Sequence, residues 1–261
     1  MPSFKEHLDI SAFDSVVVIF GGLRGLSRSL LNIYHKNNFF VVILARNANP
    51  ESLGPESYKI IPLDIDSHEM ILTSLDQLIS FLVDSNFSKI HTHILYGGGL
   101  AASVNQDESD LNRLTRVFHH NSIIPMFITQ YMIRHLVNSQ NSRSIHFCYY
   151  LSAVTQHLRA SPDYVGAKAA LESILRAFVF QQIPNTYFSG FRLGIVPIDH
   201  KYLGKLRMED SDSYRAKVVE NVPSLYTPDP NEVANFIFQT LSTSKITNGM
   251  ICDISGGNSW I

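Results

Sequence analysis

Cysteine is scarce in this chain of 261 residues, which has only Cys148 and Cys252. Each lies in an apolar, strand-like run, so a disulfide framework is excluded, and two buried thiols in a reducing compartment are expected. No zinc-ligand spacing joins them to the eleven histidines, so no metal site is expected. An excess of one charge is missing too. Twenty-one Lys and Arg against 23 Asp and Glu leave a formal charge of -2, with no basic field to attract nucleic acid. No apolar run approaches the roughly 20 residues of a membrane helix. Met1 to His7 carries charges of both signs and no apolar core of a secretory signal, so the expectation is a cytoplasmic protein. Repeats, low-complexity tracts and linkers are absent from the sequence.

The chain does have 45% apolar residues, ordinary for a globular fold, and enough length for one α/β domain with a sizeable core. Strand-like runs at Val16 to Phe20, Phe39 to Leu44, Tyr58 to Leu63, Ile90 to Tyr96, Ile145 to Leu151, Thr186 to Leu193 and Met250 to Ile254 alternate with helix-length periodic segments. That alternation predicts an α/β fold with a doubly wound parallel sheet and helices on both faces, three layers in all. Residues 1 to 261 are read as a single domain. Asp199 to Pro230 interrupts the pattern with a polar, charged stretch rich in Tyr, Pro and Lys.

Tyr164 and Lys168 stand four apart, where a helix places them on one face. A phenol of ordinary pKa about 10 is a poor acid at neutral pH, and an ammonium beside it lowers that value into a useful range. By itself the spacing equally describes a packed tyrosine and a solvated lysine. Near the N-terminus, Val16 to Phe20 runs into Gly21-Gly22-Leu23-Arg24-Gly25-Leu26-Ser27. A strand passing through glycines into a helix presents backbone N–H groups and a positive dipole end to a phosphate. A tight turn without ligand is the alternative.

Together these features resemble the short-chain dehydrogenases/reductases in their compact single-domain form, over nearly the whole chain. The segment Phe20 to Ser27 is similar to the family's glycine motif, with Phe20 for its threonine and Ser27 for its last glycine. The resemblance implies a Rossmann-like NAD(P)-binding domain in which Gly21, Leu23, Arg24, Gly25 and Leu26 line the pyrophosphate. Leu63-Asp64-Ile65 resembles the step where an Asp, here Asp64, contacts the adenine, with Ile65 beside it. Tyr96-Gly97-Gly98-Gly99 occupies the family's Asn-Asn-Ala-Gly turn and keeps small residues at Gly97, Gly98 and Gly99, without the asparagines. Arg192-Leu193-Gly194-Ile195-Val196 stands for the Pro-Gly segment, so Leu193, Gly194 and Val196 join the cofactor set. Thr247 to Gly257 looks like the family's closing motif, and the stretch 199–230 falls at its substrate lid.

The implied catalytic set is Asn121, Ser152, Tyr164 and Lys168. Ser152 lies one residue closer to Tyr164 than is usual in the family, with Ser161 as the competing serine. In that mechanism Tyr164 donates a proton to a carbonyl oxygen, Lys168 lowers the Tyr164 pKa and holds the nicotinamide ribose, Ser152 binds the substrate oxygen, and Asn121 holds a water leading to Lys168. Arg46 ends the second strand-like run where an acid would favour NAD. With Arg24 it offers two guanidiniums to a 2'-phosphate, which predicts NADPH rather than NADH. The alternative leaves Arg46 solvating a loop and Arg24 facing water.

The expected substrate is a small carbonyl compound or secondary alcohol, as for a biosynthetic ketoreductase. A sugar or nucleotide-sugar oxidoreductase is a second reading. A non-catalytic NADP-binding regulator is a third, of another class. The resemblance further implies a homodimer or homotetramer built on the helices after Asn121 and Tyr164.

Overall fold

The computed structural model describes residues 10–21, 25–46, 58–85, 87–94, 110–137, 143–157, 160–194, 223–226, 228–242 and 245–257. Strands β1 (Ser15–Phe20), β2 (Phe39–Ala45), β3 (Tyr58–Pro62), β4 (Lys89–Ile94), β5 (Ser144–Ser152), β6 (Thr186–Leu193) and β7 (Ile251–Ile254) form one sheet in the order β3-β2-β1-β4-β5-β6-β7. Every neighbouring pair is parallel. The strand order reverses between β1 and β4, and the crevice at the carboxyl ends of these two strands is where such sheets bind ligands.

A parallel sheet is covered on both faces, so its strands are apolar on both sides rather than on one. In β1, Val16, Val18 and Phe20 enter one core and Val17 and Ile19 the other. The first core is closed by α2 (His68–Asp84), α4 (Ile124–Leu136) and α6 (Pro162–Phe180), through Ile71, Leu75, Leu78, Ile128, Met132, Leu171 and Leu175. The second is closed by α1 (Leu26–Lys36) and α7 (Pro230–Leu241), through Leu30, Leu31, Tyr34, Val233 and Ile237. Among the described residues the other α-helices are α3 (Asp110–Phe118) and the four-residue α5 (Val154–His157). No helix among the described residues is long and apolar enough to cross a membrane. The three-layer, doubly wound parallel sheet is the architecture expected from the alternation of runs.

The second core holds polar groups that no strand-like run announces. Period-2 alternation puts His91 and His93 of β4 on one face, and His146, Cys148 and Tyr150 of β5 on the same face beside them, in the register His91 with His146 and His93 with Cys148. Tyr34 reaches in from α1. Its hydroxyl lies 3.1 Å from His91 Nδ1 and 2.7 Å from His93 Nε2, while His93 Nδ1 is 2.7 Å from the Tyr150 hydroxyl. His146 Nε2 lies 2.9 Å from Ser189 Oγ, which donates to the Thr247 carbonyl at 2.7 Å. Cys148 is buried as expected, and burial raises its thiol pKa well above the ordinary value. Cys252 corrects the expectation of two buried thiols. It is only half-buried, because β7 is an edge strand with one flank open.

Burial holds the three imidazoles neutral, with His93 at about 3, His146 at about 4 and His91 well below the usual histidine value. The unfolded chain binds protons on these rings as pH falls below about 6.5, whereas the folded chain does not until far lower, so acid favours unfolding. The contribution of these histidines to stability is therefore expected to be flat above pH 7 and to fall by about 2 kcal/mol per histidine by pH 5. Thermal unfolding followed by circular dichroism from pH 8 to 5 checks this, and an unchanged midpoint would refute the neutral assignment.

Candidate active site

Gly21 and Gly25, on either side of the β1–α1 connection, lie at the carboxyl end of β1. The Gly21 N–H donates to the Leu44 carbonyl at 3.0 Å, which ties the end of β1 to β2. Gly25 caps α1 at φ +51°, a left-handed conformation that strains any residue with a Cβ. Among the described residues, a Cβ built there meets nothing within 4 Å and no side chain caps the helix that Leu26 opens. A helix start without a side-chain cap suits an anion. Ser27 is buried against the sheet. Leu23 and Arg24 lie outside the described residues, as do Gly97, Gly98, Gly99 and Val196, and so does the lid stretch from 199 to 222.

Arg46, immediately after β2, is paired with two carboxylates. Its Nη2 lies 3.0 Å from Asp64 Oδ1 and 2.6 Å from Asp66 Oδ2. The Asp66 N–H donates to Asp64 Oδ1 at 3.2 Å, and the other Asp66 oxygen, Oδ1, lies 2.7 Å from His120 Nε2. His119 Nε2 lies 3.1 Å from the Ile65 carbonyl, and the Ile65 side chain is buried. Gly194 has a packing role of its own, since a Cβ there would come within 2.9 Å of the Ser255 backbone. The Leu193 carbonyl accepts the Ala153 N–H at 2.9 Å.

Between α3 and α4 the helix widens into a π-helical turn, His119–Ile123, which carries Asn121. Asn121 is buried. Its Nδ2 donates to the Val117 carbonyl at 2.9 Å, while Oδ1 has no hydrogen-bond partner among the described residues. The next residue, Ser122, donates through Oγ to the Ala167 carbonyl at 2.6 Å, which fixes the π-turn against α6 one residue before Lys168. Phe118 packs against Gly166, where a Cβ would sit 3.2 Å from its ring. Arg113 Nε lies 2.9 Å from Asp163 Oδ2 and so joins α3 to the turn that bears Tyr164. Burial of Asp163 works against ionisation. Hydrogen bonds from Ser161 and the Tyr164 N–H, with the Arg113 charge, outweigh it and hold the carboxyl below its usual range.

Helix α6 is anchored to the sheet in two further ways. Phe147, Phe188 and Phe178 form a continuous stack with ring centroids 5.4 Å apart across β5, β6 and α6. Arg192 of β6 grips Glu172 of α6 with both arms of its guanidinium, at 2.6 and 3.0 Å, a geometry that fixes direction as well as distance. Thus held, α6 delivers Lys168 into the interior at 2% exposure. Lys168 Nζ donates to the Tyr150 carbonyl at 3.0 Å and lies 5.8 Å from the centre of the half-buried Tyr164 ring. Ser152 ends β5, two residues beyond that carbonyl, where its Oγ accepts the Val154 N–H at 3.4 Å. Burial lowers the Lys168 pKa to about 8.

The structure thus sets Lys168 beside Tyr164 on α6, Asn121 in the π-turn that Ser122 ties to α6, and Ser152 at the carboxyl end of the strand that receives Lys168. Asp64, Arg46, Gly21 and Gly25 lie at the carboxyl ends of β1, β2 and β3. Asp66, His119 and His120 were not singled out from the sequence. Their one local signal is that His119 and His120 directly precede Asn121.

No protein-family model matches this sequence, and no curated protein matches it. Solved structures do match. An aldohexose dehydrogenase of Thermoplasma acidophilum in ligand-free form superposes with a TM-score of 0.76 at 17% identity, covering 94% of each chain. A putative gluconate dehydrogenase from Agrobacterium tumefaciens gives 0.75 at 16% identity, over 96% of this chain and 98% of that one. A 3-ketoacyl-(acyl-carrier-protein) reductase from Brucella melitensis, complexed with NADH, gives 0.74 at 16% identity over 94% and 99%. The chain has the Rossmann-like fold of these proteins along nearly its whole length.

A buried ammonium should weaken the fold below its own pKa. Lys168 is charged in both states below about pH 8, at a desolvation cost of about 3 kcal/mol from its lowered pKa. As pH rises from 8 to the unfolded value near 10.5 the folded chain sheds this proton first, and the cost disappears. Lys168→Met is therefore expected to be more stable than the parent at pH 7, with the gain shrinking toward pH 10.5. Parallel denaturant titrations at pH 7 and 10 check it, and a variant less stable at both would refute the cost assigned to this burial.

Proposed function

We propose that this chain is an NADPH-dependent oxidoreductase of the short-chain dehydrogenase/reductase type that acts on a carbonyl group or secondary alcohol of a small organic substrate. The observation that carries the reading is Lys168: an ammonium buried beside a tyrosine ring, held by a backbone carbonyl at the carboxyl edge of a parallel sheet. Burying a cation that has no carboxylate partner among the described residues is costly, and groups with such perturbed pKa values concentrate at functional sites.

The residues fit a nicotinamide dinucleotide. The Gly25 turn and uncapped α1 suit its pyrophosphate, Asp64 its adenine, and Arg46 the 2'-phosphate that distinguishes NADPH. The bound nucleotide supplies or accepts the hydride. Tyr164 holds the proton passed to the substrate oxygen. Lys168 lowers the cost of the phenolate left behind, and Ser152 stabilises charge on the same oxygen as it develops. Asn121 Oδ1, buried and without a hydrogen-bond partner among the described residues, suits a water that returns protons toward Lys168. The whole of 1–261 forms one such domain, with 199–230 as a lid over the substrate. A homodimer or homotetramer in the cytoplasm completes the reading, with α4 and α6 as the pairing helices, as the exposed Ile123 and Phe180 at their ends suggest. Neighbours named as aldohexose, gluconate and ketoacyl enzymes support hydroxyl or ketone chemistry on polar carbon skeletons.

Fluorescence titration with NADPH and NADH tests the nucleotide site, and NADPH oxidation against ketoacyl thioesters, ketoses and simple ketones tests turnover. Tyr164→Phe is expected to lower kcat by at least about 1000-fold, since it removes the proton donor, while NADPH affinity stays within about threefold. Turnover retained by Tyr164→Phe would overturn the mechanism.

A further inference from the structure

Arg46 is the one described cation at the end of β2, and two carboxylates already engage it. Their roles differ. Asp64 lies two residues beyond β3 and also accepts the Asp66 N–H, so its carboxylate is part of the turn. Asp66 has both oxygens committed to side chains: Oδ2 to Arg46 at 2.6 Å and Oδ1 to His120 Nε2 at 2.7 Å. His120 is itself buried in the π-turn. A carboxylate fixed at both oxygens points one of them steadily at the guanidinium. Its proton affinity supports this. Burial opposes ionisation, but the His120 hydrogen bond and the Arg46 guanidinium hold the carboxyl below its usual range, so it is anionic at neutral pH.

We propose that Asp66 is a positioning residue that sets nucleotide selectivity by competing with the 2'-phosphate for Arg46. The proposal rests on dinucleotide binding at the β1–α1 turn. A 2'-phosphate arriving at the end of β2 must take Arg46 Nη2 away from Asp66 and must approach the Asp66 charge while doing so, and both effects weaken its binding. A free 2'-hydroxyl carries no charge and does neither. Asp66 therefore narrows the preference for NADPH over NADH that Arg46 confers, and it does so whichever nucleotide the parent chain prefers.

Asp66→Asn isolates this role, because the amide keeps an oxygen for the His120 N–H and removes only the charge. Fluorescence titrations of the parent, Asp66→Asn, Arg46→Ala and the double variant with NADPH and NADH complete the test. NADPH is expected to bind Asp66→Asn about three- to tenfold more tightly, a range set by what an exposed ion pair and one repelling charge contribute, while NADH changes less than twofold. The gain should shrink at high salt and be reduced in the Arg46→Ala background, where only repulsion by the Asp66 charge is left to relieve. NADH affinity doubles as the control for folding. If both nucleotides shift alike, or the gain is undiminished without Arg46, the competition does not exist. If the parent binds neither nucleotide, the dinucleotide reading fails and this inference with it. If the parent binds NADPH and Asp66→Asn leaves the ratio unchanged, this inference alone fails.

Discussion

An ammonium sealed from water beneath a tyrosine is the constraint around which the rest of the site is arranged. Lys168 has to leave bulk solvent, and nothing in its lowered proton affinity rewards the fold for that. The surrounding structure has to hold it there. The Phe147–Phe188–Phe178 stack, the Arg192–Glu172 fork, the Ser122 bond to Ala167 and the Arg113–Asp163 pair all bear on α6, from the sheet, from the π-turn and from α3. With so many independent ties on one helix, the position of Lys168 is over-determined. That is the condition under which a costly group persists.

The opposite face of the sheet meets a different problem. Five polar side chains, Tyr34, His91, His93, His146 and Tyr150, stand where a buried parallel sheet ordinarily places aliphatic ones. They are tolerated because they bond to one another or to Ser189, with neutral rings, so no charge is buried. Tyr150 belongs to both problems, since its side chain enters this network while its carbonyl receives Lys168. Strand β5 thus separates a buried neutral network from a buried cation by the thickness of one backbone.

What could be read in the sequence was what depends on short-range periodicity. Alternating apolar runs marked all seven strands, and the Tyr164 to Lys168 spacing placed both side chains on α6. The network was not legible, because Lys89-Ile90-His91-Thr92-His93-Ile94 has the polar alternation of a half-exposed strand. Only the parallel register beside β5, and a tyrosine more than fifty residues away on α1, reveal that the polar positions face inward together. Gly194 shows a second kind of limit. Motif resemblance put it with the cofactor, whereas its lack of a Cβ is already required by the Ser255 backbone, so one glycine can satisfy two demands that sequence does not separate.

Arg46 marks the third limit, and it bears on how charge is used at this end of the crevice. A basic residue after the second strand signals an anion partner, but a sequence cannot say whether that partner comes from solution or from the chain. Here Asp66, twenty residues downstream, supplies one. The ion pair is surface-exposed and so contributes little to stability on its own. Its consequence is positional: it keeps the guanidinium at the carboxyl ends of β2 and β3, and through His120 it links that end to the π-turn carrying Asn121. The adenosine end and the catalytic end of the proposed site are therefore joined by a short path of hydrogen bonds, Arg46 to Asp66 to His120, independent of the sheet that supports both.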